Sequence, residues 1–243
     1  MTITPVDLLV FGPHPDDIEI GMGATVAHHV ANGLSVGLCD LTRGEMATNG
    51  TPEERVCEAE EARGVLGAAW RVNLGLPDRH LRDTPEQVRP IVELIRRCRP
   101  PAIALPHESD RHPDHVAAHT LVRAAAFSSG LRRYDAQGAP WKPDWLVCYF
   151  INNSVEPSFV IDVSDHYETK RRALACHRSQ FSPAALDAEQ TRLTSPLFQQ
   201  LVESRDAQFG ARVGVRWAEG FVVREPLVRR HLLRQRLSRP ATR

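Results

Sequence analysis

Short apolar runs recur along the chain, each followed by a helix-compatible stretch, and this alternation admits few architectures. Val6 to Phe11 is the first run and ends at Gly12-Pro13. A strand with no polar alternation is buried on both faces, as in a parallel sheet covered by helices. Ile20 to Asn32 carries Gly23, Ala24, Val26, Ala27 and Val30 at helical spacing and stops at Asn32-Gly33, a helix-end signal. Ser35 to Leu41 reads as the second strand. Pro52-Glu53-Glu54 opens a helix running to about Leu66 or Gly67, with its acidic residues where the helix dipole favours them. Arg71 to Leu76 is a third strand, Pro85 to Cys98 a helix stopped by Pro100-Pro101, Ala102 to Pro106 a fourth strand and His115 to Ser128 a helix. Two more strands, Trp145 to Ile151 and Phe159 to Val163, precede a helix from about Tyr167 to His177. Beyond it the pattern weakens through Gly210 and the apolar Gly220 to Val223. The expected fold is α/β: a Rossmann-like, doubly wound, mostly parallel sheet with helices on both faces, in a single domain over residues 1–243 with a basic C-terminal tail from about 229 to 243.

Charge and cysteine usage narrow the function classes. Thirty basic residues balance thirty acidic ones, so no global field draws in nucleic acid or an anionic membrane. The five cysteines, Cys39, Cys57, Cys98, Cys148 and Cys176, never form CxxC, which suits a reducing cytoplasm. The start of the chain lacks the basic region and cleavage site of an export signal, and no apolar run approaches the roughly 18 residues of a membrane span. A cytoplasmic protein with no nucleic-acid or membrane partner is expected.

Two polar clusters carry the chemistry, and both directly follow strands. His14-Pro15-Asp16-Asp17 comes after the first strand and Asp110-Arg111-His112-Pro113-Asp114-His115 after the fourth. Carboxyl ends of parallel strands gather on one edge of a doubly wound sheet, so the two clusters can converge there. His14, Asp17 and His115 then offer two imidazole nitrogens and one carboxylate oxygen, a set that suits zinc with one position left open. Bound zinc can lower the pKa of water from about 15.7 to about 7. Asp16, between two ligands, is placed to act as general base. His112 can stabilise an oxyanion and protonate a leaving amine, with Asp114 holding it as imidazolium. His119, one helical turn past His115, offers a competing ligand pair, but Val116 stands where an HExxH motif has glutamate. The remaining histidines belong to no cluster and read as surface or structural. Short His/Asp/Pro stretches also occur as ordinary turns.

The segments GPHPDDIEIGMG, DLTRGEMATNGTPEER, NLGLPDR and DRHPDH, with SQF at Ser179–Phe181 and AEGF at Ala218–Phe221, together resemble the PIG-L/LmbE-like zinc deacetylases. Within that family they resemble the bacillithiol-pathway subgroup acting on N-acetylglucosaminyl malate. The resemblance implies the same roles for His14, Asp17, His115, Asp16, His112 and Asp114. It further implies that Arg55 and Arg111 pair with malate carboxylates and that Asn49 and Asp78 bind sugar hydroxyls. It implies a Zn2+ cofactor, with Fe2+ or another divalent ion as the alternative, a small N-acetylated amino-sugar substrate, and a homo-oligomer, with a hexamer among the options. One departure stands out: where relatives can carry an active-site tyrosine, the segment Ser195–Phe198 offers only Leu197 and Phe198. Rival readings are a deacetylase of another N-acetyl sugar, an amidase of thiol conjugates, and a non-catalytic sugar or nucleotide binder. The last has no GxGxxG or GxxxxGK[ST] after the first strand to support it.

Overall fold

The structure, a computed structural model, describes residues 2–182 and 188–228. The basic tail expected over 229–243 lies outside the described residues. Seven strands form one sheet in the order β3-β2-β1-β4-β5-β7-β6, comprising β1 (Leu8–Gly12), β2 (Val36–Thr42), β3 (Trp70–Leu76), β4 (Ala102–Pro106), β5 (Trp145–Tyr149), β6 (Phe159–Asp162) and β7 (Ala218–Val222). The first five are parallel, with β1 flanked by β2 and β4 in the registers Leu8↔Val36 and Leu8↔Ala102. Strand β7 runs antiparallel to both β5 and β6. Chain order reverses at β1/β4, the place where such sheets open a crevice at their carboxyl edge.

Alternate residues of the apolar strands feed two cores. Leu9, Phe11, Cys39, Ile103 and Leu105 face helices α3 (Pro85–Cys98) and α4 (Pro113–Ser129) on one side. Leu8, Val10, Leu38, Ala104 and Tyr149 face α1 (Asp17–Ala31), α2 (Pro52–Leu66), α5 (Tyr167–Cys176) and α7 (Pro196–Val213) on the other. This two-sided burial is why the strands read as continuous apolar runs.

Three local differences from the sequence reading bear on the site. Helix α1 begins at Asp17 rather than Ile20, which makes Asp16 its N-cap. Helix α4 begins at Pro113 with His112 as N-cap, so His115 sits inside the first turn instead of opening it. Beyond α5 lie the short α6 (Arg178–Phe181) and the 18-residue α7, neither foreseen. The buried face of α7 mixes Phe198, Val202 and Phe209 with the charged pair Arg205 and Asp206, which breaks the apolar periodicity that announces a helix.

That charged pair belongs to a buried network supporting the site from behind. Helix α1 is interrupted at Met22, with φ −151° and ψ 26°. Glu219 of β7 accepts the backbone N–H groups of Ala24 and Thr25 at 3.2 and 2.7 Å, where the helix resumes. Arg205 donates to the Ile20 carbonyl at 2.9 Å. The Lys170 ammonium, 0% exposed, lies 2.7 Å from Asp206 and 2.6 Å from Glu219. The break is thus held by side chains from α5, α7 and β7. Close packing fixes the same region: a Cβ on Gly21 would stand 2.2 Å from the Tyr149 ring, whose hydroxyl donates to the Phe11 carbonyl at 2.8 Å.

Candidate metal centre and active site

The loops after β1 and β4 meet over the switch point, as the two clusters predicted. Asp17 Oδ2 lies 3.0 Å from His14 Nδ1 and 3.3 Å from His115 Nε2, all three groups being buried. The opposite nitrogens are held by carboxylates. His14 Nε2 lies 3.1 Å from Asp78 and 3.4 Å from Asp114, and His115 Nδ1 lies 3.1 Å from Asp110. Asp110 in turn accepts the backbone N–H groups of His112 and Asn152 at 2.8 and 2.9 Å. Carboxylates behind histidines that fix ring orientation and basicity are typical of metal sites.

The donor set fits a divalent cation. Burial opposes a charge on His14, but bonds to Asp114, Asp17 and Asp78 outweigh it and hold the ring well above its usual pKa. For His115 burial is likewise outweighed, by Asp17 and Asp110, and the value rises to about 9. Asp17 is held well below the carboxylate range because both imidazoles overcome its burial. The carboxylates therefore call for positive charge between them, which a dication can supply in place of two protons. Two donor groups have all their ligand atoms within 4.8 Å of one another, His14 with His112 and His115, and His14 with Asp78 and Asp114, whereas Asp17 meets His14 and His115 pairwise. The second joins His14 to two carboxylates that accept the Met46 and Arg79 N–H groups at 3.0 and 2.6 Å, as Asp17 accepts that of His14 at 2.9 Å. The first differs by exchanging anionic Asp17 for neutral His112, whose Nδ1 accepts the Asp114 N–H at 3.2 Å.

Asp16 faces the same cavity and is only 3% exposed. Its backbone stands at φ 128°, a conformation that costs a non-glycine residue on the order of 1–3 kcal/mol and collects at functional sites. Burial lifts its carboxyl to about 6 despite the Arg55 guanidinium beside it. Arg55, 4% exposed, donates to Pro15 O at 2.7 Å, Gly44 O at 3.1 Å and Asp16 Oδ2 at 3.3 Å. The guanidinium thus holds the loop and Asp16, while Arg55 also lines the cavity and its Nε has no hydrogen-bond partner among the described residues.

His112 is half-buried and lines the cavity. Its Nδ1 is an acceptor, so the neutral ring carries its proton on Nε2. Burial and the neighbouring His14 and His115 push its pKa below the usual value. The Asp114 carboxylate accepts the Arg79 N–H and leans toward His14. The expected support of a His112 imidazolium by Asp114 is therefore replaced by a backbone bond to a neutral ring.

Asn49 does not line the cavity. Its amide donates to Glu189 O at 2.8 Å and accepts Glu189 N–H at 3.0 Å, so it ties two loops rather than meeting a sugar. Asp78 lines the cavity but is engaged by His14 and the Met46 N–H. Arg111 is exposed on the rim. His119 Nδ1 faces Pro106 O at 2.9 Å, outside the cluster. Sequence reasoning missed Asp110 and Asn152 as supports of His115. Only the carboxylate's position within DRHPDH hinted at the former.

The cavity holds about 430 Å³. Residues 9–126 match the PIG-L family, described as GlcNAc-PI de-N-acetylase. The chain carries a PIG-L domain. A diacetylchitobiose deacetylase of Thermococcus kodakarensis is 28% identical over 225 residues, covering 88% of this chain and 81% of the relative. A 1D-myo-inositol 2-acetamido-2-deoxy-alpha-D-glucopyranoside deacetylase of Mycobacterium leprae is 30% identical over 58% of each chain. A conserved protein of Thermus thermophilus with a known crystal structure superposes with TM-score 0.86 at 40% identity, over 94% of this chain and 99% of that one. By their descriptions both named relatives are deacetylases. No helix among the described residues is long and apolar enough to cross a membrane.

Proposed function

We propose that this enzyme is a zinc-dependent deacetylase that hydrolyses the acetamide of N-acetyl-α-D-glucosaminyl L-malate to acetate and the free amine, a step of bacillithiol biosynthesis. The observation that carries the reading is the floor of the cavity, where Asp17 lies between two imidazoles with the Asp16 carboxylate beside it. His14, Asp17 and His115 would hold the ion. When bound, zinc polarises a carbonyl oxygen and lowers the pKa of water to about 7.

The chain's own groups complete the reaction. Asp16, oriented by Arg55, accepts a proton from the attacking water as its oxygen joins the acetamide carbon. His112 donates its Nε2–H to the oxygen that becomes negative as the carbon turns tetrahedral. No tyrosine is among the described residues lining the cavity, so this imidazole takes the part a phenol can play in relatives. The C–N bond then breaks, and the proton held by Asp16 passes to the departing amine. Water is consumed, and no net proton remains on the enzyme.

The malate aglycone is supported by exposed Arg111 at the cavity rim. Phe198 is the one phenyl, phenol or indole ring among the described lining residues, which weighs against a groove built to stack an oligosaccharide. Acetate release from N-acetylglucosaminyl malate, N-acetylglucosamine and a chitooligosaccharide tests the proposal. The malate glycoside is expected to be the best substrate of zinc-loaded enzyme, with activity lost to a chelator. Equal or faster turnover of the chitooligosaccharide would refute the aglycone, and chelator-resistant activity would refute the metal.

A further inference from the structure

The cavity is electrically divided. Its floor holds Asp16, Asp17 and Asp78, whereas the exposed arginines Arg79, Arg111 and Arg192 stand around its lining. Arg79 comes within 4.0 Å of Asp114. Among the described residues, no carboxylate lies within that distance of Arg111 or Arg192. Arg192 comes from a different part of the chain than the others, the segment preceding α7, and its guanidinium rests 5.4 Å above the Phe198 ring.

That segment is a constructed wall. Thr191 and Thr194 bond each other's N–H groups at 2.9 and 3.3 Å through their hydroxyls. Asn49 clasps Glu189 through both halves of its amide, and Asn49 O accepts the Gln180 amide at 2.7 Å. Arg192 is thus a cation with no carboxylate within 4.0 Å among the described residues, presented at the cavity by a turn fastened to the β2–α2 loop. A guanidinium stacked on an aromatic face has lost part of its freedom to swing into solvent, which favours a directed bond to an anion.

We propose that Arg192 is a specificity-determining residue that binds a carboxylate of the substrate's aglycone, with Asn49 as the positioning residue that holds its wall in place. The assignment rests on the proposed substrate class. It gives a role to Asn49, which does not line the cavity yet is built firmly into its wall.

The test compares kcat/KM for N-acetylglucosaminyl malate with that for the neutral methyl glycoside of N-acetylglucosamine. In Arg192→Gln the ratio of the two is expected to fall about tenfold or more, through KM for the malate glycoside, as a charge-assisted bond is lost. Arg192→Lys should restore part of it and Arg192→Glu should lower it further. Asn49→Ala keeps the arginine but releases the wall. It should lower the ratio in the wild-type background and have no further effect in Arg192→Gln. A wild-type ratio well above one that survives both Arg192→Gln and Arg192→Glu would overturn the role of Arg192 and leave the substrate standing. A wild-type ratio near one would overturn the substrate and this assignment together. Additive losses would overturn the tether.

Discussion

Replacing Asp16 by asparagine separates the chemistry of this site from its architecture. The substitution preserves shape and an acceptor oxygen for the Arg55 contact at 3.3 Å. Nothing in it touches His14 Nδ1, Asp17 Oδ2 or His115 Nε2. What disappears is the base, whose contribution is typically about 10²–10⁴-fold, or about 3–5 kcal/mol of barrier. Stability should move the other way. A carboxyl lifted to about 6 in the metal-free fold, against about 3.9 when unfolded, binds protons more readily in the folded state. Its ionised form therefore costs the fold on the order of 2–3 kcal/mol once the pH exceeds about 6. The cost is absent below about pH 4 and grows as the pH rises between those values. In chelator-stripped protein at pH 7.5, Asp16→Asn should melt above wild type, by up to about 6–12 °C, with the difference vanishing near pH 4. Metal content after reloading, by elemental analysis, should match wild type while kcat for acetate release falls at least a hundredfold. Retention of more than a tenth of wild-type turnover would remove Asp16 as the base, and a lower melting temperature at pH 7.5 would refute the electrostatic argument.

Four further outcomes are expected. His112→Ala should lower kcat by about 10²–10³-fold if the ring is the oxyanion donor; a change confined to KM in steady-state assays would contradict that role. Asp110→Ala should weaken metal affinity by about 10–100-fold in a competition titration, because His115 loses the carboxylate at 3.1 Å that orients it; unaltered affinity would argue against the support role. Lys170→Met leaves the fully buried Glu219 and Asp206 without the ammonium at 2.6 and 2.7 Å, a loss of about 3–5 kcal/mol and about 6–20 °C in melting temperature. A fall of less than about 3 °C in a calorimetric scan would show the triad to be dispensable. Gly21→Ala places a methyl 2.2 Å from Tyr149 and should cost about 1–3 kcal/mol by urea unfolding, whereas an unchanged midpoint would mean that the ring moves freely.

The parallel half of the sheet and the two clusters were legible because their signals are local. A strand buried on both faces is apolar throughout, and a dense run of histidine and aspartate directly after such a strand has few scaffold explanations. What escaped was held by contacts remote in sequence. Helix α7 hides behind Arg205 and Asp206, whose burial makes sense only once Lys170 and the Ile20 carbonyl are in place. The antiparallel course of β7 follows from pairing with β5 and β6, and a five-residue apolar segment does not encode direction. Nothing local in the sequence reveals that Arg55 also binds the Pro15 and Gly44 carbonyls, or that Glu189 engages both halves of the Asn49 amide.

The carboxylates around the two imidazoles show why such a site can persist in a fold. Like charges gathered at one point repel, and each needs its own anchor. Here every carboxylate bonded to His14 or His115 also accepts a backbone N–H. Asp17 takes that of His14 at 2.9 Å, Asp78 that of Met46 at 3.0 Å, Asp114 that of Arg79 at 2.6 Å, and Asp110 those of His112 and Asn152. These amides belong to loops following β1, β2, β3, β4 and β5, all at the carboxyl edge of the sheet. The strand order that brings β1 beside β4 therefore does more than join two motifs. It surrounds them with peptide dipoles from five loops, which orient the donors in advance, and electrostatic preorganisation of this kind is where much of an enzyme's rate advantage arises.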